Sequence, residues 1–355
     1  MILKLRFAYT FAGLIFPAIL AAQATPKESL LALSKRDHTL AIVDPTSLKV
    51  LARIPVGNDP HEVIASADGK TAYVSNYGGG AYNTLAVIDL QGQKPLSPAD
   101  LGPLRGPHGL AFIGGKVWFT AEAAKAIGSY DPITQKVDWI LGTGQNRTHM
   151  IYVFDDLKRI ITSNVSSGTV SIIEKTAGRS GPPPGPPPNQ SGMRAPSGPQ
   201  VGPPGGDWDE TVVKVGNGAE GFDVSPDGNQ LWVANAQDGT ISIIDLATKK
   251  VIDTIAANAH GANRLKFTPD GARVFVSCLG GADEIVLDAA TRKEIRRIKL
   301  GSGAAGIQMQ PDGTHAFVAC SPDNYVAVID LKTLEVIGHI DVGTQPDGLA
   351  WAVEH

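Results

Sequence analysis

Histidine is the residue type here whose placement could do chemistry. The chain holds eight, and three of them, His61, His108 and His149, each stand at the start of a short apolar run. Glu220, Asn263 and Asp347 take the same place before later runs, with Ala305 at that place between the last two. Arg147 lies two positions before His149, Arg264 directly follows Asn263, and His260 comes three positions before it. Together His61, His108, His149, Glu220, His260, Asn263, Arg147, Arg264 and Asp347 form the candidate ligand-binding set. Imidazole is the commonest neutral-pH metal ligand and proton carrier. Three imidazoles with nitrogens ~2.0–2.1 Å from one ion would hold a divalent metal, which makes His61, His108 and His149 the candidate metal ligands. With Glu220 or Glu122 beside them, such a set would suit a metal-assisted hydrolase or lyase. A second reading is a noncatalytic rim that recognises a small molecule or a protein. The plainest is that each imidazole bonds a neighbouring backbone group. No Ser-His-Asp arrangement, phosphate loop, Cys-x-x-Cys or haem motif accompanies them, so no residue is assigned a catalytic role.

The elements that must position these residues repeat. Glu220–Ala262 holds four short apolar runs, Phe222–Val224, Leu231–Ala234, Ile241–Ile244 and Val251–Ile255. Pro226-Asp227-Gly228, Asp238-Gly239 and Ala247-Thr248-Lys249-Lys250 separate them. Runs this short, rich in β-branched residues and joined by turn signals, read as antiparallel strands. Similar units begin at 61, 108, 149, 220, 263 and 305, with a partial one at 347. The spacings are 47, 41, 71, 43, 42 and 42. A period in the low forties with four strands per unit is that of a β-propeller blade. In such a ring the innermost strand of each blade lines a central channel, and the histidines fall where that strand begins.

The repeats resemble the YVTN-type β-propeller family, also called YncE-like. The pattern appears as Asp68-Gly69 with Tyr73-Val74-Ser75-Asn76, and again as Trp232-Val233-Ala234-Asn235, Phe275-Val276-Ser277-Cys278 and Phe317-Val318-Ala319-Cys320. The resemblance spans almost the whole mature chain. It implies an all-β, seven-bladed propeller and says little of activity, because propellers host many chemistries. One blade also resembles the repeats of virginiamycin B lyase, a related propeller that uses a metal, His and Glu. The matching residues are Gly106-Pro107-His108-Gly109, Trp118-Phe119-Thr120 and Glu122, and a match in one blade does not carry the lyase activity over.

Residues 28–60 make three strands of a first blade whose innermost strand is missing, and Asp347–Glu354 makes one strand and no more. Joining them closes the ring and removes open sheet edges. Six further repeats bring the count to seven blades. Met1–Ala24 reads as a cleaved signal peptide, with Lys4 and Arg6, the apolar Phe7–Leu20, and Ala22-Gln23-Ala24 as cleavage site. The mature protein is expected to be periplasmic or secreted, with no stable membrane span. Residues 180–206 hold 17 Pro or Gly in 27, a composition that builds no core. They are expected as a disordered insert between the third and outer strands of the fourth blade, read first as a tolerated loop and alternatively as a docking segment for a partner that binds proline-rich chain. Tyr77–Tyr82 is an enlarged loop at the tip of the second blade, and residues 91–103 read as surface loop.

A net charge of −4 with no basic cluster argues against nucleic-acid binding. Forty Gly and 6% aromatics suit a turn-rich β protein. The two cysteines, Cys278 and Cys320, hold equivalent positions in adjacent blades. Second strands diverge from the axis, whereas a disulfide needs Cα atoms within ~7 Å, so buried free thiols are expected.

Overall fold

A computed structural model describes residues 24–176 and 207–355. The expected leader, apart from Ala24, and the whole Pro/Gly-rich insert lie outside the described residues. The described chain forms seven four-stranded antiparallel sheets arranged as the blades of a ring; in the second blade the outer strand is split into two short pieces. Taken from blade 1, the inner strands are Pro346–Val353, Pro60–Ala65, Pro107–Ile113, Thr148–Val153, Ala219–Val224, Ala262–Phe267 and Ala304–Met309. Among the described residues no helix is long and apolar enough to cross a membrane.

The hairpin between first and second strands shows why the repeat keeps its Asp-Gly. Gly228 sits at φ +72°, and Gly69, Gly271 and Gly313 sit between +69° and +72°, a region that costs a side-chain-bearing residue energy. Asp227 Oδ1 accepts the Asn229 N–H at 3.1 Å, which fixes the turn. The aspartates that end the third strands do the same for the next turn. Asp245 Oδ1 accepts the Thr248 N–H at 2.7 Å, and Asp89 Oδ1 accepts the Gly92 N–H at 2.8 Å.

The core lies between blades. Trp232, Ile241 and Ile243 of blade 5 pack on Leu265, Val274 and Val276 of blade 6, all essentially buried. Blade 1 is the expected composite: Glu28–Ser34 pairs with Pro346–Val353, with Leu30 opposite Trp351 and Ala32 opposite Leu349. Leu349 faces the seventh blade's cluster, while Ala350 and Ala352 face the second blade's. The last strand therefore packs on both faces.

Two details differ from or refine the sequence expectation. Residues 91–103 are not plain surface loop. Ala99 and Leu101 are buried with Leu104 beneath blade 3, and Ala99–Asp100 adds a short piece of outer strand to blade 2. Cys278 and Cys320 are free and buried, and burial pushes both thiols up to about 12.

Candidate functional site at the channel mouth

Every blade breaks its inner ladder at the start of the inner strand. The pairing shifts between Pro60 and Val63, Thr148 and Ile151, Ala219 and Phe222, Ala262 and Leu265, and Ala304 and Ile307. The skipped residues are the site layer and its successor: His61-Glu62, His149-Met150, Glu220-Gly221, Asn263-Arg264 and Ala305-Gly306. A bulge turns side chains out of the pleat and leaves a backbone N–H without its ladder partner. In blades 2, 3, 4 and 6 a hydroxyl on the second strand takes that N–H. Ser75 accepts from Glu62 at 3.0 Å, Thr120 from Gly109 at 2.9 Å, Ser163 from Met150 at 3.2 Å and Ser277 from Arg264 at 3.1 Å. Three of these hydroxyls also donate to the next blade's site layer. Thr120 Oγ1 bonds the His149 carbonyl at 2.7 Å, Ser277 Oγ the Ala305 carbonyl at 2.7 Å, and Ser163 Oγ the Glu220 carbonyl. The Ser/Thr of the repeat motif thus fixes the backbone of the site across the blade boundary.

Glycines let these backbones approach. A Cβ at Gly348 would stand 2.4 Å from the His61 carbonyl oxygen, and one at Gly109 would stand 2.6 Å from that of His149. Neither contact is tolerable.

The side chains then meet at one mouth. His108 and His149 stack tilted with ring centroids 3.8 Å apart, and His61 lies 4.9 Å from His108. Tyr77 stands edge-on to both His61 and His108. His149 is buried between two carboxylates. Its Nδ1 bonds Glu122 Oε1, and its Nε2 lies 2.8 Å from Glu220 Oε2. Tyr77 Oη donates to the other Glu122 oxygen at 2.6 Å. Arg147 reaches both carboxylates, with Nε 3.6 Å from Glu122 and Nη1 3.3 Å from Glu220. On the other side, His61 Nε2 lies 3.2 Å from Asp59 Oδ1, and His61 Nδ1 lies 3.2 Å from His108 Nε2. Asp347 stands 3.6 Å from His61 Nδ1 and 3.4 Å from Lys35. One residue deeper, Arg264 of blade 6 pairs with Glu62 of blade 2 across the lumen.

These partners fix the protons. A ring that donates at both nitrogens is an imidazolium, and His149 has a carboxylate at each. Burial opposes that charge, but the field of Glu220 and the bonds to Glu122 and Glu220 outweigh it and hold His149 above its ordinary value. Burial pushes Glu220 up, yet His149, Arg147 and Arg264 bring it down to about 2. Glu122 is lowered in the same way, against its burial, by His149, Tyr77 and Arg147. The other two imidazoles are neutral. Burial, then the charges of His149 and Arg264 among others, pushes His108 well below 6.5. Burial and Lys35 push His61 to about 4, against Asp59 and Glu62. The hydrogen-bond chain assigns their tautomers. Asp59, at 3.2 Å and nearer to the ring than Asp347 at 3.6 Å, takes the proton of His61 Nε2, so His61 Nδ1 accepts from His108 Nε2, and His108 Nδ1 is left a bare lone pair. That atom is buried and has no partner among the described residues.

Of the sequence candidates, the structure brings together His61, His108, His149, Glu220, Arg147, Asp347, Asn263 and Arg264. Asn263 sits in the layer and accepts from Arg264 through Oδ1 at 3.3 Å. His260 does not join them: its side chain is exposed on the loop before blade 6. The metal reading meets a different geometry from the one it needs. His149 spends both nitrogens on carboxylates, and His61 and His108 face each other. Among the described residues no group of three or more His, Cys, Asp and Glu side chains is arranged around an ion position. Glu122 and Tyr77 are central yet outside the candidate ligand-binding set. Both come from loops between second and third strands; the sequence points to Glu122 as a partner of the histidines in the enzyme reading, and to Tyr77 as part of an enlarged loop on the same rim. Asn76, Asn164 and Asn235, on that rim too, tie second to third strands; Asn164 and Asn235 do so through Ser171 and Ser242, each at 2.9 Å.

Comparison with known proteins fits this ring. Residues 206–310, from the outer strand of blade 4 to the inner strand of blade 7, match the YNCE-like beta-propeller family. No curated protein matches the chain in sequence. A protein of unknown function from Desulfotomaculum acetoxidans superposes with a TM-score of 0.70 at 14% identity, covering 92% of this chain and 99% of that one. A protein from Bacteroides fragilis, provisionally described as a 6-phosphogluconolactonase, gives 0.71 at 16% identity, covering 93% and 99%. Hydrazine synthase of Kuenenia stuttgartiensis gives 0.65 at 15% identity, covering 82% and 89%. At these identities the likeness is one of fold. With the family match over residues 206–310 and seven four-stranded blades in the ring, the fold is a seven-bladed β-propeller whose central blades are similar to the YNCE-like family.

Proposed function

We propose that the protein is an exported binding module whose channel mouth captures a small polar molecule. The observation that carries this reading is His108 Nδ1, a buried ring nitrogen with no partner among the described residues, and an acceptor in the tautomer that the hydrogen-bond chain assigns. An unmet buried polar atom costs about 1–3 kcal/mol, and a ligand that donates to it recovers that cost. Arg147, which spans the two carboxylates that hold His149, has a side chain 43% exposed, a cation of the same mouth within reach of solvent. A molecule with a hydroxyl for His108 and a carboxylate for Arg147 meets both, and a hydroxy acid is the simplest such molecule.

The carboxylates and cations around the layer are closely matched in number, which suits a ligand with both donor and acceptor groups better than a simple ion. A neutral imidazole with a bare nitrogen meets one requirement of a general base, and a bound carboxylate would supply the other by drawing its lowered pKa back toward the working pH. The second reading is therefore hydrolysis of the lactone of such an acid, without a metal, with His108 as base. Calorimetric titration of D-gluconate, and hydrolysis of its δ-lactone, separate the two readings. The binding reading expects saturable gluconate binding that His108→Leu weakens about tenfold, the value of one hydrogen bond to a charged or buried group. Equal binding by the variant removes the mouth as the site. Lactone turnover lost in the same variant favours the enzyme.

A further inference from the structure

Below the mouth the lumen widens into a cavity of about 280 Å³ to which all seven inner strands contribute. It lies just under the small end of ligand-pocket sizes, roughly 300–1,000 Å³, so its occupant is small. Its walls come in layers along the axis. The Arg264–Glu62 pair stands at the mouth side. Next comes a collar in which every blade contributes an apolar residue at the same register, among them Leu110, Ile151, Phe222 and Ile307. Beyond the collar lie Lys266 and Asp223, 3.4 Å apart, with Tyr152 and Gln308. Lys266 is three residues past Asn263 on one strand, about 10 Å by strand rise. Its side chain is 42% exposed and Tyr152 is 36% exposed, so the cavity opens on the face opposite the histidines. Trp351 also lines it, and the Trp351 Nε1–H is buried with no acceptor.

We infer that this cavity is a second ligand site, entered from the face opposite the mouth, for a small carboxylic acid with an apolar tail. The tail fits the collar, where each CH₂ is favoured by leaving water. The carboxylate takes Lys266 at the open end, with the Trp351 N–H on the cavity wall as second donor. Among the described residues Lys266 is paired by its half-exposed contact with Asp223 at 3.4 Å, and the buried Trp351 indole N–H has no acceptor. The Arg264–Glu62 pair forms the wall shared with the mouth, and the two donors proposed for the carboxylate, Lys266 and Trp351, belong to this cavity alone.

The test is calorimetric titration of the full chain at neutral pH with sodium hexanoate, and with 1-hexanol as the uncharged counterpart. The expected result is saturable hexanoate binding, about tenfold weaker in Lys266→Met and several-fold weaker in Trp351→Phe, with hexanol about tenfold weaker than hexanoate, as for loss of one charge-assisted bond. Binding should persist in the presence of gluconate, whether or not gluconate itself binds. No saturable binding, equal binding by both variants, or displacement by gluconate overturns the proposal. Equal binding of hexanol overturns the carboxylate assignment.

Discussion

At the residue scale the site turns on which imidazole carries charge. His149 is held above 6.5, so its share of stability is full below that pH and is lost as pH rises through its folded value. Glu220 is held at about 2 against an ordinary 4.5, so its share is present above 4.5 and is lost as pH falls toward 2. The pair therefore contributes most between these limits. Glu220→Gln leaves the imidazolium one buried partner short, and breaking such a pair costs about 3–5 kcal/mol. Thermal melts from pH 4 to pH 8 should show the deficit largest near the middle of the range; a variant that melts like the wild type throughout would contradict the clamp. The register of His61, His108, His149 and Glu220 was legible because equivalent repeat positions converge on an axis. The proton positions were not, because they depend on Glu122 and Tyr77, which arrive from neighbouring loops.

At the scale of the element, one strand breaks the repeat. The second residue of the third strand is Leu40, Leu85, Ile127, Val170, Ile241 and Val326 in six blades, each fully buried. In blade 6 it is Glu284, also fully buried, with neither carboxylate oxygen partnered. Burial raises its carboxyl well above the ordinary value. A raised acid contributes its stability below the unfolded value and loses it as pH rises toward the folded one. Glu284→Leu restores what blades 1 and 2 carry. It should stabilise the ring by about 1–3 kcal/mol, the cost of an unmet buried polar group. The gain should be larger at pH 8 than at pH 5, read by chemical denaturation. A loss of stability at both pH values would mean that the carboxyl has a partner. Nothing in the sequence marks this residue, since a single charge within an alternating strand reads as solvent-facing. The inner-strand bulges were equally hidden. Ser75, Thr120, Ser163 and Ser277 read as ordinary strand residues until the chain is paired and the next blade is in place.

At the scale of the molecule, the repeat period and the incomplete first unit were enough to read seven blades and their closure. Contacts across the lumen were not legible. Glu62 and Arg264 lie 202 residues apart and meet only because the ring closes. Closure rests on Pro346–Val353, which packs Leu349 against blade 7 and Ala350 and Ala352 against blade 2. Deleting Asp347–His355 exposes two strand edges and both packed faces, and removes Asp347 from beside His61. The truncated chain should aggregate or lose its cooperative melt. A cooperative transition at the wild-type temperature would show that blade 1 stands without the strand.

The central claim is a division of protons within one mouth: a doubly protonated His149, and a neutral His108 whose Nδ1 is bare. Nitrogen-15 NMR of histidine-labelled protein at pH 7 reads both directly. One imidazole should be protonated at both nitrogens, with its titration displaced upward from the ordinary range. A second ring should be protonated at Nε2 alone, with a bare Nδ1 that shifts when gluconate is added. His149→Gln and His108→Leu assign the two signals. A neutral His149 at pH 7, or a His108 Nδ1 that already carries a proton, would contradict it.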